Sequence, residues 1–301
     1  MNIKPDCLSC LFDQALRVTK LLKLDDATSK KVFDKTAQVL MDHSMSSTPP
    51  QIARDIYQAI SDVTGEKDPV ALAKANATKQ ALNIDTSFIH TIPDALKMAV
   101  IGNVIDFGSQ EQLDLDEMIQ YHLHKAFAID DTDNFIRELQ HAEQIVILGD
   151  NVGEHIFDKL LIETIKKHYD ITVHYFVRGK PIINDVTLKE GQLLKDCAHI
   201  VDTGVKTPGF DLEEANSVSK EIFDRADIVL SKGMGNFESL YHVAKRPIYF
   251  LFIVKCLSMN VQQPALSDYT QILMGRIDHF LPLLSIQKPS LRDKKSFSTF
   301  S

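Results

Sequence analysis

Tryptophan is absent from the 301-residue chain and cysteine is scarce, with four residues in all. The first absence excludes nothing functional. The second excludes a dense disulfide framework and suits a reducing cytoplasm. No apolar stretch approaches the roughly 18 residues of a membrane span. The longest run, Ile248-Tyr249-Phe250-Leu251-Phe252-Ile253-Val254, is strand length. The N-terminal Met1-Asn2-Ile3-Lys4-Pro5-Asp6 has no apolar signal region. Positive charge is in deficit, 33 Lys and Arg against 41 Asp and Glu, for a net charge of −8. That balance argues against nucleic acid or an anionic membrane as the main partner, because phosphate-rich surfaces select clustered Lys and Arg. The basic end, Arg292-Asp293-Lys294-Lys295, is short and mixed and reads as solvated.

What is present falls into two halves. From Cys7 to about His141 the apolar spacing is helical: Leu8, Leu11, Phe12, Ala15 and Leu16 form one face, and Ile52, Ile56, Ala59, Ile60 and Val63 another. Thr48 before Pro49-Pro50, and Asp68 before Pro69, mark helix starts. About six or seven helices are expected there. After His141, short apolar runs (145–148, 171–177, 199–201, 228–230 and 248–254) alternate with helix-like segments. Continuous apolar strands separated by helices signal a parallel sheet covered on both faces. The expected fold class is therefore α/β: a helical domain over residues 1–140, then a doubly wound, mainly parallel sheet of about five strands over 141–286. A polar tail over 287–301 closes the chain.

Ligands of doubly wound sheets bind beyond the carboxyl ends of the strands. There the sequence places Gly149-Asp150-Asn151, then Arg178 through Asn184-Asp185, Asp202-Thr203-Gly204, and Ser231-Lys232-Gly233-Met234-Gly235-Asn236-Phe237-Glu238. Asp150, Asn151 and Asp185 offer oxygen ligands, which suit hard cations such as Mg²⁺ or Mn²⁺, with other transition metals as alternatives. Asp150 and Asn151 read equally well as caps of the following helix. Two acidic groups at one sheet edge, however, repel unless a cation sits between them. The Lys232-Gly-x-Gly-Asn236 run suits a phosphate, with small glycines exposing amides, a helix N-terminus and a cation. The plainer reading is a strand-to-helix turn with an exposed lysine. A cation site beside an anion cradle points to a small phosphorylated metabolite.

These motifs resemble the damage-control phosphatases, a metal-dependent family. The likeness runs over roughly residues 5–285 and includes Ala99 to Asp106 and Cys7-Leu8-Ser9-Cys10. The resemblance implies a helical domain packed on an α/β domain, a divalent cation held by Asp150, Asn151 and Asp185, and Lys232 on the substrate phosphate. It also implies that Asn103 and Asp106 reach the cleft, with Arg178, Gly233, Gly235, Asn236 and Glu238 among the substrate-binding residues. The expected activity is hydrolysis of sugar phosphates or related phosphomonoesters by metal-activated water. Asp150 is a candidate catalytic group, as ligand, base or nucleophile, and Lys232 a second. An S-adenosylmethionine-dependent carboxyl methyltransferase and a noncatalytic metabolite-binding protein are the rival readings. Cys7 and Cys10 fit two small core residues on one helix face; a redox or metal role including Cys256 is the sharper alternative, and Cys197 reads as core.

Overall fold

A computed structural model describes residues 1–102, 119, 121, 123–254 and 272–276. Six helices precede the first long strand among the described residues: α1 (Pro5–Leu21), α2 (Asp26–Asp42), α3 (Pro49–Thr64), α4 (Ala71–Leu82), α5 (Ile92–Ile101) and α6 (Thr132–Leu139). Local chemistry starts them. Asp25 caps α2 by accepting from Thr28 N–H at 2.7 Å, and Thr91 caps α5. At α3 the side chains of Thr48 and Gln51 cap each other's backbone N–H, with Pro49 at the first helical position.

The strands are β1 (Ile129–Asp130), β2 (Gln144–Leu148), β3 (Thr172–Val177), β4 (His199–Asp202), β5 (Ile228–Lys232), β6 (Tyr249–Ile253) and β7 (Ile272–Arg276). Helix α7 (Glu154–His168) and the short α8 (Leu188–Gly191) follow β2 and β3, while α9 (Ser217–Arg225) and α10 (Gly233–Leu240) flank β5. The sheet order is β1-β7-β6-β5-β2-β3-β4. The five strands β6-β5-β2-β3-β4 are mutually parallel, as the apolar runs predict. An edge pair was not foreseen: β7 runs antiparallel to β6, and β1 pairs parallel to β7.

Alternate strand residues separate two cores. Ile145, Ile147, Tyr175, Leu230 and Leu251 join α4 to α7 in one cluster, and Val146, Leu148, Phe176, Val229 and Phe250 join α9 and α10 in the other. The sheet is thus covered on both faces, which the burial of Ile145 to Leu148 in β2 requires. A third cluster, under α1 to α3, includes Ile3, Cys7, Leu11, Ile52, Ile56 and Ile182. Ile182 lies on the connection leaving β3, so the α1–α3 layer rests on a strand-end loop. From β2 the chain adds β3 and β4 on one side and then β5 and β6 on the other, so the switch point where such sheets bind ligands lies between β2 and β5.

Candidate active site

The loop after β2 and the segment after β3 are joined by backbone. Val186 N–H donates to Asp150 O at 2.9 Å, Val152 N–H to Asn184 O at 2.8 Å, and Asn151 forms an antiparallel bridge with Asp185. Asp150, Asn151 and Asp185 are therefore held side by side. Asn151 Nδ2 donates to Asp150 Oδ2 at 2.7 Å, and the Arg178 Nε donates to Asp185 Oδ2 at 2.8 Å. Burial pushes the Asp185 carboxyl up, and the Arg178 guanidinium opposes the shift. Ile183, in the same turn, has φ 45°, a left-handed conformation unfavourable for a β-branched residue.

The three side chains line a cavity of about 310 Å³ between the strand ends and the helices α1 and α3. Met234, Gly235 and Glu238 of α10 form one wall, and Cys7, Cys10 and Leu11 of α1 another. Pro49, Pro50 and Ala53 bring α3 to its rim. Although Glu238 is only partly buried, desolvation in the cavity pushes its carboxyl up to about 7. A separate depression of about 280 Å³ near Glu163, Lys166 and Cys197 holds none of these groups.

The expected position of Lys232 needs correction. Its side chain does not project over the open sheet edge; it is fully buried. The ammonium donates to Glu154 Oε1 at 2.5 Å, Asp158 Oδ1 at 2.6 Å and Ala99 O at 3.0 Å, which uses all three protons. Two inward-facing carboxylates on α7 outcompete solvent for the lysine. Burial pushes Asp158 up to about 6, opposed by Lys232, and Tyr175 donates to its other oxygen at 2.7 Å.

Arg178 and Asn236 are also turned inward. Arg178 Nη2 donates to Gly149 O and to Asn236 Oδ1, each at 3.1 Å, while its Nη1 is buried with no hydrogen-bond acceptor. Asn236 Nδ2 donates to Lys232 O at 2.6 Å and Gly149 O at 3.1 Å, and Phe210 N–H donates to its Oδ1 at 2.6 Å. These residues brace the β2 and β5 ends rather than facing the cavity. Gly233, at φ 75°, gives room to a neighbour: a Cβ there would collide with the Asp150 carboxylate. Asp150 thus lies against the first turn of α10, the positive end of that helix. A Cβ at Gly235 would strike Pro208 O. Asn103, Asp106 and Cys256 lie outside the described residues.

Sequence reading missed Glu154, Asp158 and the two cysteines as cavity or network members. Glu154, Asp158, Leu161, Ile162 and Ile165 share the buried stripe of α7. Two acids at i, i+4 on an apolar face were the available signal, because such a pair needs a buried cation.

Two carboxylates and an amide oxygen at the switch point of a parallel sheet define a class, the α/β proteins that work on small ligands beyond their strand ends. The comparisons narrow it: residues 3–265 match the family described as the damage-control phosphatase ARMT1-like domain, and the chain belongs to that family. The damage-control phosphatase of Pyrococcus horikoshii is 31% identical over 272 residues, covering 85% of this chain and 92% of its own. That of Archaeoglobus fulgidus is 30% identical, covering 85% and 93%. The crystal structure of a DUF89 family protein from P. horikoshii superposes with a TM-score of 0.84 at 27% identity, over 92% of this chain and 99% of that one. Among the described residues no helix is long and apolar enough to cross a membrane.

Proposed function

We propose that this chain is a divalent-metal-dependent phosphomonoester hydrolase acting on small phosphorylated metabolites in the cytoplasm. The observation that carries the reading is the backbone-locked approach of Asp150, Asn151 and Asp185 at the cavity floor. Their donor set fits the assignment. Among the described residues no group of three or more His, Cys, Asp or Glu forms a metal cage, whereas Mg²⁺ favours one or two carboxylates and keeps waters and substrate phosphate for its other positions. When bound, the cation neutralises phosphoryl oxygens and acidifies water.

The chain's own groups do the rest. Asp150, steadied by Asn151 and by the α10 N-terminus, orients the attacking water toward phosphorus. Arg178 favours the charged form of Asp185 against burial and holds it in place from behind. Glu238 shares the cavity and can give a hydrogen bond to the departing oxygen. The buried Lys232–Glu154–Asp158 cluster serves as a positioning element behind the floor, in place of the phosphate contact first expected of Lys232.

The test is turnover of an aryl phosphate with Mn²⁺ or Mg²⁺ and its loss in Asp150→Ala, alongside melting with metal or with S-adenosylmethionine. Metal-dependent turnover and a metal-induced rise in Tm support the reading. Metal binding without turnover would leave a metabolite-binding protein, and a Tm rise with the methyl donor alone would leave the methyltransferase.

A further inference from the structure

The cysteine pair is the feature that the phosphatase reading does not use. Cys7 and Cys10 stand one helical turn apart at the start of α1, and both line the cavity that holds Asp150, Asn151 and Asp185. Both are thiols in this structure. Cys10 is exposed, whereas Cys7 is 7% exposed, and Lys4 N–H donates to its sulfur at 3.3 Å. That bond fixes the Cys7 sulfur at the N-terminal turn of α1, one turn from Cys10. Cys197 is the internal contrast: burial pushes its thiol up to about 11, and it donates to Leu194 O.

We propose that Cys7 and Cys10 form a reversible dithiol–disulfide couple in the cavity wall, and that closing the disulfide lowers turnover. The effect on turnover rests on the phosphatase reading; the couple itself does not. The exchange partner is a small-molecule disulfide such as oxidised glutathione. The accessible Cys10 thiolate attacks one reagent sulfur, forming a mixed disulfide and expelling one reagent thiolate. The Cys7 thiolate then attacks Cys10 Sγ, forming Cys7–Cys10 and expelling the second. The cysteines lose two electrons and two protons, and the reagent gains both as two thiols.

Geometry makes the bond reachable and consequential. Cβ atoms at i, i+3 on a helix lie about 5–6 Å apart, and a disulfide needs about 3.5–4.5 Å. The first turn of α1 must tighten by roughly 1–2 Å, a shift taken up where Cys7 N–H already bonds to Lys4 O three residues back rather than to a carbonyl four back. Cys7 shares its hydrophobic cluster with Ile182, whose carbonyl accepts from Asp185 N–H at 3.0 Å. A tightened α1 therefore shifts both the cavity wall and the turn that carries Asp185.

The experiment treats the full chain with oxidised glutathione, maps its cysteines by peptide mass spectrometry, and measures aryl phosphate turnover and Mn²⁺ affinity before and after reduction. Cys10→Ser and Cys197→Ser are each compared with their own reduced forms. The expected result is a Cys7–Cys10 disulfide, a fall in turnover of about tenfold to a hundredfold, the scale of a 1 Å misplacement, and recovery on reduction. Cys10→Ser should lose this sensitivity and Cys197→Ser keep it. A disulfide without change in turnover, no disulfide under these conditions, or equal inactivation of Cys10→Ser would each overturn the proposal. If the reduced protein turns over no phosphomonoester, the functional reading fails instead, and the couple is judged by the mapped bond and its effect on Mn²⁺ affinity.

Discussion

Lys232 is the residue whose surroundings changed its meaning most. Its ammonium is enclosed by Glu154, Asp158 and the Ala99 carbonyl, so removing it strands two buried carboxylates. Lys232→Met is expected to cost about 3–5 kcal/mol of stability, seen in denaturant midpoints. The deficit should be smaller at pH 5 than at pH 8, because protonation discharges the stranded acids. A Tm near that of the parent at both values would show that the cluster is not stabilising. Gly233→Ala tests the floor of the site. Its positive φ alone costs about 1–2 kcal/mol, and the new methyl meets Asp150. Mn²⁺ affinity measured by calorimetry should fall about 10–100-fold, the usual effect of disturbing what holds a ligand in place. Unchanged affinity would place the cation elsewhere.

At the level of elements, the parallel strands were legible because full burial writes continuous apolar runs, as in Ile145-Val146-Ile147-Leu148. β1 was not, since two residues carry no period, and β7, Ile-Leu-Met-Gly-Arg, has little of the β-branched character that marks a strand. The Gly233-x-Gly235 run, which reads as a strand-to-helix turn, is already the first turn of α10; close approach to Asp150 and Pro208 demands both glycines inside the helix. Asp150, Asn151 and Asp185 could be picked out as strand-end acids and amide. The inward turn of Lys232, Arg178 and Asn236 could not, since it depends on partners from other elements. Thr48 and Gln51 show the opposite case, a start signal readable in four residues. Thr48→Ala should lower stability by about 0.5–2 kcal/mol without changing the denaturant slope. Because α3 brings Pro49 and Pro50 to the cavity rim, KM should respond more than kcat.

Across the whole molecule, buried titratable groups pull stability in opposite directions with pH. His155 accepts from Gly153 N–H at 3.0 Å, and burial lowers it from 6.5 to about 4. Its depressed folded value gives stability that is present above pH 6.5 and lost as pH falls through 4, on the order of 3 kcal/mol. Glu238, raised from 4.5 to about 7, and Asp158, raised from 3.8 to about 6, work the other way: their stability is full at low pH and lost as pH rises through those values. The parent should lose stability as pH rises from 4.5 to about 6, where the two acids together outweigh His155. His155→Gln should steepen that fall, and Glu238→Gln should flatten it. Unfolding titrations at several pH values decide; parallel profiles for all three proteins would contradict these assignments.

The placement of β5 beside β2 also sets an order of assembly in time. β3 follows β2 closely in the chain, while β5 arrives after β4 and α9 have been made. Loop closure favours the nearer pairing, so β2 and β3 are expected to join first. That step gathers Asp150, Glu154, Asp158 and the Arg178–Asp185 pair while Lys232 is still unattached. The half-built sheet then carries a concentration of negative charge at one edge, a transient electrostatic barrier to its own completion. Refolding should accordingly run faster when Mg²⁺ is in the buffer, the ion acting as an early surrogate for a lysine that has yet to dock.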